Sequence, residues 1–477
     1  STQQPTLFPY TTLFRSAPNA AQVEAARQLD VRRRLREVEE AILARAPEHH
    51  IQPSLDRITA VMELLGDPQR TFPVIHLTGT NGKSSTTRII EAILRELGLK
   101  TGRFTSPHLH SMRERIALSG KPIDAERFLA AYDEVIPFVE MVDARSVAAG
   151  GPRMTYFEVI VAVAYAAFAD APVDVAVVEV GLGGAWDATN VIDAPVSVLL
   201  PIDIDHRHFL GDTVEAIAGE KVGIIKPDAM TVLAAQGHDV VTDLVRERAE
   251  QVGARVVAEE ADFAVTEREV AVGGQVLTVT GLAATYADLF VPLHGAHQAH
   301  NVAAAIAAVE AFVGGGERAL DIDVLRAALA DVSSPGRLEI VRRSPTVIVD
   351  AAHNPHGALA LREALTDSFA FTRTIGLLAI LADKDATEML EILEPVFDEV
   401  VVTRTTSARA MPPRELGELA ADIFGEHRVH VVADLPDALD RAAELADADG
   451  GVGGGVIATG SVTTAAEVRA LLGVLDT

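Results

Sequence analysis

The segment Leu77-Thr78-Gly79-Thr80-Asn81-Gly82-Lys83-Ser84-Ser85 holds the residue types a bound phosphate needs, in a workable order. Two glycines let the backbone approach an anion closely, Lys83 supplies a positive charge, and a hydroxyl follows. Residues 72–77 have the composition of a short buried strand, and Ile89, Ile90, Ile93, Leu94 and Leu97 recur downstream at helical spacing. The loop therefore opens a helix at its N-terminus, where unpaired N–H groups point at the ligand. This predicts a nucleoside triphosphate site at Gly79, Thr80, Asn81, Gly82, Lys83 and Ser84. A strict Walker pattern places a glycine where Leu77 stands, so the loop is a shortened variant.

A triphosphate brings Mg²⁺, which takes hard oxygen ligands. Glu179 closes an apolar run over residues 174–178 and precedes Gly181-Leu182-Gly183-Gly184, so its carboxylate belongs at the carboxyl edge of a parallel strand, where such sheets bind ligands. A solvated edge acid is the plainer alternative. Trp186, the chain's single tryptophan, stands beside Asp187 and suits either a flat, polar-tipped ligand or a core. The run Asp203-Ile204-Asp205-His206-Arg207-His208 follows another apolar strand, and its His206 is a metal-ligand candidate. In Gly219-Glu220-Lys221-Val222-Gly223-Ile224-Ile225-Lys226 a lysine enters an apolar stretch. Partial burial would lower its pKa and expose the amine to chemistry, whereas a solvated helix lysine would stay inert. Asp350-Ala351-Ala352-His353-Asn354-Pro355-His356-Gly357 ends a further strand with an acid, an imidazole and an amide. With Arg337, it could reach across a cleft to the nucleotide and screen the transferring phosphate.

Positioning these groups takes a large scaffold. At 477 residues the chain exceeds what one core usually holds, and 48% apolar content marks it as globular, so two domains are expected. A formal charge of −27 argues against nucleic acid and requires any cations that bind anionic ligands to be concentrated locally. The absence of cysteine excludes disulfides, thiolate zinc sites and cysteine nucleophiles, and fits a cytoplasmic enzyme. The longest apolar run, residues 159–169, is shorter than the roughly 20 residues of a spanning helix, so no membrane segment is expected. Residues 1–16 look like translated adapter sequence, and residues 1–19 are expected to be a non-native or disordered leader.

A charged helical pattern runs over residues 20–44, and a second helix precedes the phosphate loop. Strand-like runs at 173–180, 194–202 and 230–235 alternate with helical patterns. They predict an α/β fold, with a P-loop, doubly wound, mostly parallel domain over residues 20–333. Residues 254–293 turn to alternation and predict an antiparallel patch flanking that sheet. Helices near 300–312 and 323–330 lead to a hinge at Ser333-Ser334-Pro335-Gly336. Strand candidates at 346–350, 374–381, 400–403, 429–432 and 456–459 predict a smaller C-terminal Rossmann-like α/β domain over residues 334–477. The glycine run 450–455 is expected to be a short loop.

Taken together, the segments Gly79-Thr80-Asn81-Gly82-Lys83, Thr105-Ser106-Pro107-His108-Leu109, Met154-Thr155-Tyr156-Phe157-Glu158, Glu179 to Gly184, Asp187-Ala188-Thr189-Asn190, Asp205-His206, Gly219-Glu220-Lys221, Pro335-Gly336-Arg337 and Asp350 to Pro355 resemble the folylpolyglutamate synthase and dihydrofolate synthase family, within the Mur-type ATP-dependent amide ligases. The resemblance covers nearly the whole chain from about residue 50. It implies that Thr80 to Lys83 cradle ATP phosphates and that Ser106, Glu179 and His206 bind Mg²⁺. It further implies that Lys221 becomes carbamylated, and that Asn301, Arg337 and Asp350 contact the nucleotide with His353 beside them. Ile51, Gln52, Pro53, Tyr156, Phe157, Glu158, Trp186, Asp187 and Ala188 match pteridine-ligand contacts, and Lys83, Lys221 and His353 are the catalytic candidates.

The implied activity activates a pteroate or folate carboxylate as an acyl phosphate and transfers it to the amine of L-glutamate. One site would serve both acceptors in a monomer whose partners are small molecules. Two departures stand out: Ala185 where the family usually has arginine, and His208 where an acid is common. A Mur-type ligase for another carboxylate acceptor is the nearest rival, and a catalytically weakened ATP-binding protein, suggested by Ala185, is the rival of another class.

Overall fold

Every residue of the strand Val74–Thr78 is buried, as is every residue of Val175–Glu179 and Val196–Leu199, which flank it in parallel. Strands covered on both faces carry apolar residues consecutively rather than alternately, which is how these segments read. In the computed structural model, which describes residues 20–46, 53–448 and 453–474, they form the centre of an eight-stranded sheet. Its order is Lys121–Pro122, Ile116–Leu118, Thr101–Phe104, Val175–Glu179, Val74–Thr78, Val196–Leu199, Met230–Leu233, Arg255–Ala258. The first two strands pair antiparallel and the rest run parallel.

Helix Lys83–Glu96 covers one face of this sheet. Its Ile89, Ile90, Ile93 and Leu94 are fully buried, and each such side chain contributes about 1.5–3 kcal/mol relative to exposure. The alanine-rich helix Ala296–Gly314 shares that core. Helices Ala125–Ala148 and Tyr156–Asp170 enclose the opposite face.

A second, six-stranded sheet has the order Glu339–Arg343, Thr346–Val349, Gly454–Thr459, Arg373–Leu378, Glu399–Val402, Val429–Val431, antiparallel only at its first pair. The mostly parallel α/β architecture expected from the sequence is present in both sheets. A small antiparallel sheet, Thr285–Val291, Gly274–Thr280, Ala264–Ala271, lies between them in sequence. Residues 331–338 link the two halves, and Ser334 Oγ lies 2.8 Å from Ser85 Oγ, tying the link to the phosphate-loop helix.

Two expectations need correction, and two strands were not foreseen. Within 254–293, Arg255–Ala258 joins the main sheet in parallel, because its register continues that of Met230–Leu233; only the later strands are antiparallel. Gly454 and Gly455 belong to a buried strand rather than a loop, since bulky neighbours cover them: a Cβ on Gly455 would fall 2.7 Å from the Phe371 ring. Thr101–Phe104 and Glu339–Arg343 carry no strand signal in the sequence, being short and holding Gly102, Arg103, Arg342 and Arg343. Residues 1–19, Ile51, Gln52 and residues 450–452 of the glycine run lie outside the described residues. No described helix is long and apolar enough to cross a membrane.

Candidate functional site

The strand Val74–Thr78 delivers the chain to a turn at Gly79, and Gly82, with φ 86°, hands it to the helix Lys83–Glu96. A side chain at 82 would be strained by that angle and would also meet Asn301 Oδ1 at 2.7 Å. Gly82 provides no side-chain cap, so the first N–H groups of the helix stay available to an anion. Lys83 Nζ donates to the carbonyls of Gly79 and Thr80 at 2.9 and 3.1 Å and pairs with no carboxylate among the described residues. Burial lowers its pKa, with Glu179 and Asp205 opposing. Thr80 Oγ1 donates to Asp203 O at 2.8 Å, joining the loop to the end of a neighbouring strand.

Glu179 is 1% exposed at the end of its strand. Ser84 Oγ donates to both of its carboxylate oxygens, at 3.0 and 2.9 Å, and the Ser106 N–H approaches at 3.4 Å. Burial raises the Glu179 pKa, opposed chiefly by Lys83. Of the expected metal residues the structure thus joins Glu179 and Ser106, adding the Ser84 hydroxyl. His206, left-handed at φ 52°, lines the small crevice with Lys83 and Lys221. Lys221 is buried and donates to Gly79 O at 3.0 Å; burial first and Lys83 second lower its pKa to about 7. A Cβ on Gly184 would fall 2.6 Å from Glu220 O and 2.9 Å from Lys221 Cα, so glycine there lets its loop touch the end of the helix Val214–Lys221. A crevice of about 20 Å³ lined by Gly79, Lys83, Asp205, His206 and Lys221 has room for one water-sized group.

A cavity of about 1180 Å³ opens beside this crevice between the two halves of the chain. Phe157, Glu158, Trp186, Asp187 and Ala188 line it, together with Arg57, Arg207, Lys384 and Arg409. The sequence-predicted contacts take different parts. Phe157 and Trp186 are partly exposed apolar wall. Glu158 closes a capping box with Thr155 and holds Arg57 Nε at 3.0 Å. Asp187 organises its loop, accepting N–H bonds from Leu182 and Thr189, both at 2.9 Å. Tyr156 turns into the core, with Arg115 over its ring at 5.1 Å, and does not line the cavity; Pro53 is exposed and does not line it either. Ala185 also lies off the cavity lining, packed on Gly223.

The second half reaches the site through Asp205. Lys384 Nζ sits 2.6 Å from Oδ1, Asn354 Nδ2 donates to Oδ2 at 2.8 Å, and His353 Nε2 lies 3.4 Å away. Burial opposes ionisation, but His353, His206 and Lys384 together hold the Asp205 carboxyl well below the usual range. Asn81 Nδ2 donates to Asn354 Oδ1 at 3.2 Å and lies 2.8 Å from His356 Nδ1. Asp350 braces the link, accepting the N–H groups of Leu338 and Ala352 at 2.9 and 2.8 Å; burial raises its pKa although Arg337 opposes. Arg337 also acts electrostatically on Lys83 and Glu179, and Asn301 is buried against Gly82. Sequence reasoning passed over Arg57, Arg207, Lys384 and Arg409. Lys384 lies in an Asp-Lys-Asp run a few residues after the strand Arg373–Leu378, and no local pattern announces its pairing with Asp205.

The arrangement can hold a triphosphate on a helix start, an oxygen-ligated cation at Glu179, and an extended organic acid in the cavity. Comparison with known proteins bears on the family and on the nucleotide and folate ligand classes. Residues 77–309 match the Mur ligase middle domain, and residues 336–462 match the Mur ligase glutamate ligase domain. The chain is 50% identical over 458 residues to the dihydrofolate synthase/folylpolyglutamate synthase of Mycobacterium tuberculosis, covering 92% of this chain and 94% of that one. The structure of M. tuberculosis folylpolyglutamate synthase complexed with ADP and AMPPCP superposes with a TM-score of 0.88 at 49% identity, over 93% of this chain and 99% of that one. An FPGS–AMPPCP–folate complex gives 0.79 at 31% identity, over 92% and 99%. With its order of motifs, its two sheets and these likenesses, the chain belongs to the dihydrofolate synthase/folylpolyglutamate synthase family of Mur ligases.

Proposed function

We propose that the chain is an ATP-dependent amide ligase that adds L-glutamate to dihydropteroate and to folyl glutamates through an acyl phosphate. The observation that carries this is the uncapped helix start at Gly82, with Lys83 paired to no carboxylate among the described residues, beside a crevice that adjoins the cavity lined from both halves of the chain. Complexes of relatives with ADP, AMPPCP and folate support the two ligand classes.

The site's donors suit Mg²⁺: Glu179 is a buried carboxylate whose hydrogen-bond partners are the Ser84 hydroxyl and one long N–H contact from Ser106. Glu179, Ser106 and His206 would hold the ion, which supplies positive charge against the phosphate oxygens. Gly79, Thr80, Asn81, Gly82, Lys83 and Ser84 orient the triphosphate, Lys83 meeting phosphate charge once it leaves the Gly79 and Thr80 carbonyls. Asn301, Arg337 and Asp350 contact the nucleotide from the helix and the link. The acceptor carboxylate attacks the γ-phosphate, ADP leaves, and the glutamate amine then displaces phosphate at the acyl carbon.

Phe157, Trp186 and Ala188 form the acceptor's wall, with Glu158 and Asp187 fixing its loops. Lys221, whose pKa of about 7 leaves much of the amine neutral near pH 7, is suited to carbamylation. His353 reaches Asp205 from the second half and helps close the site, excluding water from the acyl phosphate.

The deciding assay is ADP release from Mg-ATP and L-glutamate, with dihydropteroate or tetrahydrofolate against a control lacking acceptor. Stimulation by both acceptors is expected. Stimulation by one alone removes the bifunctional part, and stimulation by neither refutes the proposal.

A further inference from the structure

Four cationic side chains belonging to Lys or Arg line the cavity, and three are already committed. Arg57 is held by Glu158 at 3.0 Å, Lys384 by Asp205 at 2.6 Å and Arg409 by Asp383 at 2.5 Å. Arg207 is the exception: exposed on the cavity wall, it forms no ion pair or side-chain hydrogen bond among the described residues. Its neighbour His208 is likewise exposed on the cavity and makes only a ring contact, with Phe209 at 5.0 Å. In a chain of net charge −27, an uncommitted guanidinium on a cavity wall is where an anion is drawn in. Its planar fork matches a carboxylate.

The place of Arg207 narrows the choice of carboxylate. It follows His206, which with Lys83 and Lys221 lines the crevice at the phosphate loop. An acceptor whose reacting carboxylate points into that crevice places its adjoining groups along the wall beside it. A folyl acceptor ends in a glutamyl residue, with an α-carboxylate beside the reacting γ-carboxylate. Dihydropteroate carries the reacting carboxylate alone. Resting on the ligase function proposed above, we infer that Arg207 is a specificity residue that binds the α-carboxylate of the acceptor's terminal glutamyl residue, and so favours glutamylated acceptors over dihydropteroate.

The test compares kcat/KM for tetrahydrofolate and for dihydropteroate, at saturating Mg-ATP and L-glutamate, in the wild type, Arg207→Ala and Arg207→Lys. A lost charge-assisted hydrogen bond predicts that the tetrahydrofolate-to-dihydropteroate ratio falls about tenfold or more in Arg207→Ala. The lysine variant, keeping charge without the fork, should lie between. An unchanged ratio overturns the inference, as does, when L-glutamate is titrated in a companion series, a rise confined to its KM with either acceptor, which would assign Arg207 to the free amino acid. Wild-type enzyme that turns over neither acceptor overturns the ligase function itself, an outcome visible before any variant is made.

Discussion

The phosphate loop and the Asp205 junction line the same small crevice, yet they are built in opposite ways. The loop is a run of consecutive residues, 79–84, whose geometry follows from two glycines and a helix start. The junction is one carboxylate that gathers Asn354, His353 and Lys384 from segments far along the chain. The loop leaves its charge unpaired, and the junction pairs its charge fully. A site that must bind and release a polyanion keeps Lys83 uncommitted, while a seam that must hold two halves together spends its cations internally. The comparison predicts that damage to the loop appears in turnover and damage to the junction appears in stability.

Lys83→Met should give the largest effect. Lys83 meets only carbonyl oxygens, so its loss leaves no carboxylate stranded, and the unfolding midpoint should stay near that of the wild type. Loss of a positioned charge in a water-excluded site lowers turnover by about 10²–10³. Steady-state ADP release beside thermal unfolding checks both halves of the statement. A large drop in midpoint with turnover preserved would invert the comparison.

The same contrast decides what the sequence could reveal. The loop, Glu179 at its strand end and the parallel strands of both sheets depend on contiguous residues, so composition and period expose them. Lys384 lies in Asp383-Lys384-Asp385, which reads as a solvated turn; its burial at 8% exists only once Asp205 arrives from the other half. Glu158 carries a second, local meaning. Thr155-Tyr156-Phe157-Glu158 is a capping-box pattern, a local signal that explains why Tyr156 enters the core and why Glu158 faces its own helix start while it also lines the cavity. Thr101–Phe104 escaped notice because a sheet interior accepts Gly102 beneath Phe168 and pairs Arg103 with Glu91, choices visible only in three dimensions.

Lys384→Met tests the junction and should come second in size. Removing one member of a buried ion pair leaves the other charge unpaired, at a cost of about 3 kcal/mol. Asn354 and His353 still reach Asp205 and would soften the loss. A companion Asp205→Asn change should recover part of the midpoint, since no charge then remains stranded. The sign with pH follows from the depressed Asp205 pKa. Its stabilisation is complete above the unfolded carboxyl pKa of about 4 and is lost as pH falls through the lower folded value. Thermal unfolding at pH 7 that leaves Lys384→Met level with the wild type would remove the junction's structural role.

Lys221 lies where the two regions meet, touching the loop through Gly79 O and sharing the crevice with Asp205, and it gives the smallest predicted effect. Its folded pKa of about 7 lies below the unfolded value near 10.4, so the folded protein excludes a proton across that interval. Stability from this group therefore rises as pH climbs from 7 toward 10.4, and the cost of burying the lysine is greatest below 7. Carbamylation needs the neutral amine: its lone pair bonds to the carbon of CO₂, and the nitrogen gives up a proton. With a pKa of about 7 the neutral fraction falls about tenfold between pH 8 and pH 6, and bicarbonate-dependent activity should fall with it. Enzyme equilibrated with ¹³C-bicarbonate should show a carbamate carbon signal that follows the same curve and is missing from Lys221→Arg. Activity that stays flat from pH 6 to pH 8, with no such signal, would leave Lys221 as a neutral brace between loop and junction, and would assign the site's chemistry to Lys83 and Glu179.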